Sequence, residues 1–158
     1  MQSGYLSRVM TIVTLTLSMA TPGLAQGPGG DAESTRQAGL EYWNKIDKEA
    51  ITTASGLQYK ILYTGNGRNP RAKGKVSVHY RGLLLKGVQF DTSFDKDEPV
   101  ELSLKQVIKG WTEGLQLMSE GAVFVFLIPP ELAYGEKGSD VIPPNSTLIF
   151  EIELFKAK

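Results

Sequence analysis

A chain with one imidazole and no thiol has few ways to make or break covalent bonds, so its reactive residues can be weighed singly. Cysteine is absent, and His79 is the single histidine among 158 residues. Thiolate nucleophiles, disulfides and lipid attachment through an amino-terminal cysteine are excluded, and a zinc site would be short of nitrogen ligands. Serine hydrolysis needs a base. His79 lies in an alternating stretch, on the side away from the apolar residues, and no Gly-x-Ser-x-Gly turn presents a serine. It reads as a satisfied or exposed strand residue. Gly65-Asn66-Gly67 lacks the Lys-Ser/Thr sequel and following helix of a phosphate loop. Asp95 and Asp97 sit close together in a polar stretch and read as solvated carboxylates. The residues support no metal, no cofactor and no covalent nucleophile.

What remains is a set of rings and aliphatic side chains: Tyr80, Phe90, Trp111, Tyr134 and Phe150, with Val107, Ile108 and Ile142. Any one of them alone is an ordinary core residue. The elements that must position them can be read from periodicity. Residues 57–63 alternate as a strand with one buried side. In residues 76–85, Val76, Val78 and Tyr80 face one way and Ser77, His79 and Arg81 the other. Residues 88–91 and 100–104 read as further strands, separated by a polar loop over 92–98. Residues 106–118 read as a short helix with Ile108, Trp111, Leu115 and Met118 on one face. Gly110 and Gly114 cost that helix roughly 1 kcal/mol each relative to alanine. Packing must therefore hold it, and the glycines would let a sheet approach closely. Residues 122–128 are nearly all apolar, as in a central strand covered on both faces. Residues 147–155 alternate, with Leu148, Phe150, Ile152 and Leu154 inward and Glu151 and Glu153 outward. A long loop over 129–145 carries two Pro-Pro pairs and Tyr134. Strands with short connections around one helix predict an α+β domain built on an antiparallel sheet.

Five segments then fall into register. They are Val78-His79-Tyr80-Arg81-Gly82, Gly87-x-x-Phe90-Asp91-Thr92-Ser93 and Val107-Ile108-Lys109-Gly110-Trp111-x-Glu113-Gly114, followed by Ile128-Pro129-Pro130-Glu131-Leu132-Ala133-Tyr134-Gly135 and Ile142-Pro143-Pro144-Asn145-Ser146-Thr147-Leu148-Ile149-Phe150. In order and spacing, residues 54–158 resemble the FKBP-type peptidyl-prolyl cis-trans isomerase domain. The lead-in over residues 52–60 resembles the bacterial exported, macrophage-infectivity-potentiator-like branch. The resemblance implies a five-stranded antiparallel half-barrel wrapped around a short amphipathic helix, with a pocket between them. It implies Trp111 as the floor, with Tyr80, Phe90, Val107, Ile108 and Phe150 as walls. Tyr134 and Ile142 would enter from the long loop, and Val100 would make a smaller wall where many members carry phenylalanine. Asp91 and Tyr134 are the implied catalytic candidates, and the Ile108 backbone N–H the implied donor to a substrate carbonyl. Lys96 stands where many members have an arginine close to that aspartate. The implied substrates are proline-containing polypeptides, unfolded or folding, with macrolide inhibitors as further ligands of the pocket.

The amino-terminal end reads differently. Arg8 precedes an apolar run over residues 9–20, then Pro22, Gly23 and the small-residue exit Gly23-Leu24-Ala25. That is the grammar of a signal peptide over residues 1–25. About 12 residues diluted by Thr and Ser are too few to cross ~30 Å of hydrocarbon, so no stable membrane anchor is expected after cleavage. The expected location is outside the cytoplasm, in the periplasm or secreted. Residues 26–53 read as a flexible linker and then a helix over 31–50, with Leu40, Trp43 and Ile46 recurring at threes. Lys plus Arg equals Asp plus Glu, at 17 each. A net charge of zero gives no track for nucleic acid. The alternative function on the same residues is a non-catalytic periplasmic chaperone or secreted effector that uses the apolar pocket to hold clients.

Overall fold

The computed structural model describes residues 48–158. The expected signal peptide, the linker and residues 31–47 of the expected helix lie outside the described residues. Its last three positions, residues 48–50, are turn and coil.

The described chain forms one antiparallel sheet and one α-helix. In chain order the strands are β1 (Ile51–Thr52), β2 (Gln58–Tyr63), β3 (Lys75–Leu84), β4 (Gln89–Thr92), β5 (Val100–Ser103), β6 (Val123–Ile128) and β7 (Leu148–Ala157). Helix α1 is Lys109–Gln116, and a 3-10 turn occupies Pro130–Leu132. The sheet order is β1-β2-β6-β7-β3-β4, with β5 also on β3. The expected count of five strands is corrected to seven, and the register explains the difference. β4 pairs with residues 81–83 of β3, and β5 with residues 75–78 of the same strand. They are two pieces of one edge, interrupted by the polar loop between them. The two-residue β1 adds a short flap on the other edge, against β2.

Strand period decides what the sheet does with its two faces. Val76, Val78, Phe124, Phe126, Ile128, Leu148, Phe150, Ile152 and Leu154 share the inner face and join Trp111, Leu115 and Met118 in one apolar cluster. Glu151 and Glu153 do point the other way, yet they are only 2% and 6% exposed. Burying a carboxylate is costly unless it is paired. Glu151 Oε2 accepts from Arg81 Nη2 at 2.8 Å, across the β3–β7 register that sets the two residues opposite each other.

The helix is shorter than its apolar periodicity suggests. Ile108 is extended, at ψ 154°, so the first helical residue is Lys109, and residues 117–118 close with tighter turns. Its glycines act as expected. A Cβ on Gly114 would lie 2.6 Å from Phe126 Cε1, and one on Gly110 would lie 2.5 Å from Ile128 Cγ2. Both contacts are below any real carbon–carbon separation, so the helix sits on β6 only because these positions have no side chain. Thr112 Oγ1 also donates to the Leu104 carbonyl at 2.8 Å, tying α1 to the segment after β5.

Gly114→Ala therefore sets two effects against each other. Alanine gains about 1 kcal/mol of helix propensity, whereas forcing a methyl into a packed core costs about 1–3 kcal/mol. Phe126 is 1% exposed and has nowhere to turn, so the expected outcome is a lower urea midpoint. An unchanged or higher midpoint would show that the ring has room.

Candidate active site

β3 and β7 carry the two rings around which the site is built. Their register places Tyr80 opposite Ile152 and Gly82 opposite Phe150. Trp111, from the first turn of α1, is 5% exposed and meets both rings edge to face. Its ring centre is 5.1 Å from Tyr80 at 84° and 5.2 Å from Phe150 at 87°. Phe90, from β4, meets Phe150 at 5.5 Å and 88°. Edge-to-face contacts put positive ring edges against negative ring faces, which fixes angles as well as distances. Gly82 makes the arrangement possible: a Cβ there would lie 2.6 Å from Phe90 Cζ and 2.8 Å from Phe150 Cε1.

Above these rings lies a hollow of about 410 Å³. Tyr80, Phe90, Asp91, Val107, Ile108, Trp111, Tyr134 and Phe150 line it, joined by Leu102 and Gln106. Two residues expected at the site do not line the hollow. Val100 pairs with Val78 at the start of β5, and Leu102, two residues along the same strand, supplies that wall instead. Ile142 is 2% exposed within the cluster that holds Trp111, and it anchors the long loop from beneath. Leu102 was legible from strand period, since it repeats the facing of Val100. Gln106 had no such signal, because its place depends on the turn whose N–H bonds back to the Ser103 carbonyl. A larger hollow, about 630 Å³, lies by the start of β3 and the end of β7. Arg68, Arg71, Lys73 and Lys158 line it and no ring does, so it offers no aromatic site.

The polar groups at the hollow are few and specific. Tyr80 Oη donates to Asp91 Oδ2 at 2.7 Å. The tyrosine, rather than Lys96, is the partner of that carboxylate. Burial, and then the hydrogen bond to Asp91, hold the Tyr80 phenol well above the ordinary tyrosine range. Two links between Ser93 and Tyr80, one backbone to backbone and one backbone to side chain, keep the intervening Asp91 in place. The Ser93 N–H donates to the Tyr80 carbonyl at 2.9 Å, and the Tyr80 N–H donates to Ser93 Oγ at 2.8 Å. Ser93 Oγ is also 3.1 Å from His79 Nδ1. His79 is 7% exposed, with Phe94 stacked at 5.4 Å and Phe155 edge-on at 5.5 Å. It is a satisfied residue of the outward face and takes no part in the hollow. Tyr134, 40% exposed, is carried over the hollow by the 3-10 turn, where the Gly135 N–H donates to the Pro130 carbonyl at 2.8 Å.

Two donors are left over. The Ile108 N–H has no acceptor among the described residues, because the chain is extended there and the helix starts one residue later. The Trp111 Nε1–H is buried and likewise has no protein acceptor among them. The arrangement can desolvate a flat apolar group and hold a carbonyl.

Because the Tyr80 phenol is harder to ionise in the folded state, it adds stability below pH 10, the ordinary tyrosine value. That contribution is lost as pH rises above 10 towards the folded value. Unfolding free energy should fall over this alkaline range in the wild-type chain and fall less in Tyr80→Phe. Equal slopes in denaturant titrations from pH 9 upward would contradict the assignment.

Residues 66–155 match the family described as "FKBP-type peptidyl-prolyl cis-trans isomerase". The chain is 47% identical over 126 residues to FkpA of Aeromonas hydrophila, covering 78% of this chain and 47% of that protein. It is 45% identical over 116 residues to the peptidyl-prolyl cis-trans isomerase Mip of Coxiella burnetii, covering 73% and 50%. The solved structure of Escherichia coli FkpA superposes with a TM-score of 0.68 at 43% identity, over 80% of this chain and 60% of that one. The chain spans about half the length of the curated relatives it matches.

Proposed function

The chain belongs to the FKBP-type peptidyl-prolyl cis-trans isomerase family, and on that footing we propose that it catalyses rotation about X–Pro bonds in unfolded and folding polypeptides. The observation that carries the reading is the apolar ring hollow beside the unpaired Ile108 N–H. Rotation must break amide resonance against a barrier of about 18–20 kcal/mol, with no bond made or cut. The twisted amide has lost its charge separation, so an apolar site penalises it less than the planar one. A proline ring seated on Trp111 is desolvated, and the Ile108 N–H donates to a substrate carbonyl. Asp91 and Tyr134 are the catalytic candidates. Asp91 acts at the hollow's edge with its geometry set by Tyr80, and the half-exposed Tyr134 presents its hydroxyl from the loop. The apolar walls favour an apolar residue before proline, and Leu102 in the wall shapes any fit to macrolide inhibitors.

Export to the periplasm, or secretion, is the reading that the amino-terminal grammar supports. No helix among the described residues is long and apolar enough to cross a membrane. A second reading, holding clients without catalysis, is favoured by the exposed Tyr134 and Val141 on the long loop, which extend apolar surface beyond the hollow.

Exchange spectroscopy on an apolar-X–Pro peptide should show isomerisation well above the uncatalysed rate, which takes roughly tens of seconds. No acceleration by folded protein would overturn the proposal. In the Asp91→Ala, Tyr134→Phe double variant we expect isomerisation to fall by about 10²-fold, the lower range for removing positioned polar groups. Loss of isomerisation with full suppression of client aggregation would assign the holding role to the apolar surface alone.

A further inference from the structure

Between Glu49 and Asp91 the chain carries charge of one sign only. No aspartate or glutamate occurs there, while the short stretch over residues 68–75 holds Arg68, Arg71, Lys73 and Lys75. The net charge of zero therefore hides a local excess, and the fold gathers it in one place. Arg68, Arg71, Lys73 and Lys158 line the larger hollow, of about 630 Å³. No carboxylate side chain lines it, and it shares no residue with the ring hollow.

The carboxylates that reach these cations are already engaged. Glu101 pairs with Lys75 at 3.4 Å and with Lys158. Glu120 accepts from the Ala157 N–H at 2.8 Å and lies 4.0 Å from Arg68 Nε. Arg71 and Lys73 are exposed and have no carboxylate partner among the described residues. The loop that carries them is pinned. Lys75 and Lys158 exchange backbone hydrogen bonds at 3.1 and 2.8 Å, and the Leu104 N–H donates to the Gly74 carbonyl at 3.0 Å. A Cβ on Gly74 would lie 2.6 Å from the Lys158 carbonyl oxygen, so the loop seats on the end of β7 only because that side chain is missing.

A pinned, concave set of cations in excess over carboxylates suits an anion with several charged groups. Screening limits each exposed charge to about 8 Å at physiological ionic strength, so a lone carboxylate would feel only part of the set. Phosphate oxygens also match the planar fork of arginine. We propose that this hollow binds a ligand bearing two or more phosphate groups, either clustered lipid headgroups or a soluble oligophosphate, independently of whether the ring hollow isomerises proline.

The test uses the full chain with sodium tripolyphosphate and with vesicles of phosphatidylglycerol or phosphatidylcholine. Calorimetry should show saturable tripolyphosphate binding, or flotation should show capture by phosphatidylglycerol and not phosphatidylcholine vesicles, weakening as salt is raised. Binding in calorimetry alone identifies a soluble oligophosphate, and selective vesicle capture identifies headgroups. Arg71→Gln with Lys73→Gln should weaken the affinity at least about tenfold. Lys86→Gln with Lys137→Gln removes the same charge from exposed lysines outside the hollow and should leave the affinity unchanged. No tripolyphosphate binding together with no preference for phosphatidylglycerol, or equal weakening in both variants, overturns the proposal. If the first variant folds poorly, amide shifts in the wild-type chain decide. Changes confined to residues 68–74 and 157–158 support the hollow, and changes spread over the sheet overturn it.

Discussion

The structure depends on one close approach: a helix pressed onto a strand at distances that only glycine permits. Gly110 and Gly114 bring α1 against Ile128 and Phe126, and that depth of seating places Trp111 within reach of Tyr80 and Phe150. Gly82 does the same on the other side, clearing space where Phe90 and Phe150 meet. The glycines weaken the helix and the strand locally, and the ring cluster they admit more than offsets that cost by burying apolar area. The hollow is thus a consequence of how tightly the layers pack.

The polar parts of the site are set by a different device. The extended backbone at Ile108 delays the helix start and leaves one N–H with nothing to bond. On the far wall, Ser93 exchanges hydrogen bonds with both backbone groups of Tyr80 and contacts His79 from behind. Tyr80 then holds Asp91. The single imidazole of the chain supports this wall from the outward face. A residue type that usually suggests acid–base chemistry here braces a loop, because its neighbours are Phe94, Phe155 and a serine hydroxyl.

The sheet is covered unequally. Its inner face has α1 and the loop anchored by Ile142, while its outward face combines an apolar cluster with a buried ion pair. Breaking a buried pair by removing one partner is far costlier than the pair is worth intact. The surroundings of Arg81 and Glu151 are therefore as constrained as those of the rings, although they take no part in the hollow.

Periodicity and residue type alone were enough to place the strands, to set Tyr80, Phe150 and Ile152 on one face, and to require glycine where helix and sheet meet, because these follow from the two-residue period and from steric size. They also gave no support to thiol, zinc or serine-triad chemistry, since the chain has no cysteine, one histidine and no Gly-x-Ser-x-Gly turn. Other features needed the tertiary structure. Leu102 stands in the wall in place of Val100, Ile142 lies beneath the loop rather than at the hollow, and Tyr80 is the partner of Asp91. That β4 and β5 are two pieces of one edge, both paired with β3, came from the register. The burial of Glu151 also escaped the sequence, because alternation predicts which way a side chain points and says nothing of what covers it. Each of these turns on contacts between residues far apart in the chain, and no local pattern carries such contacts.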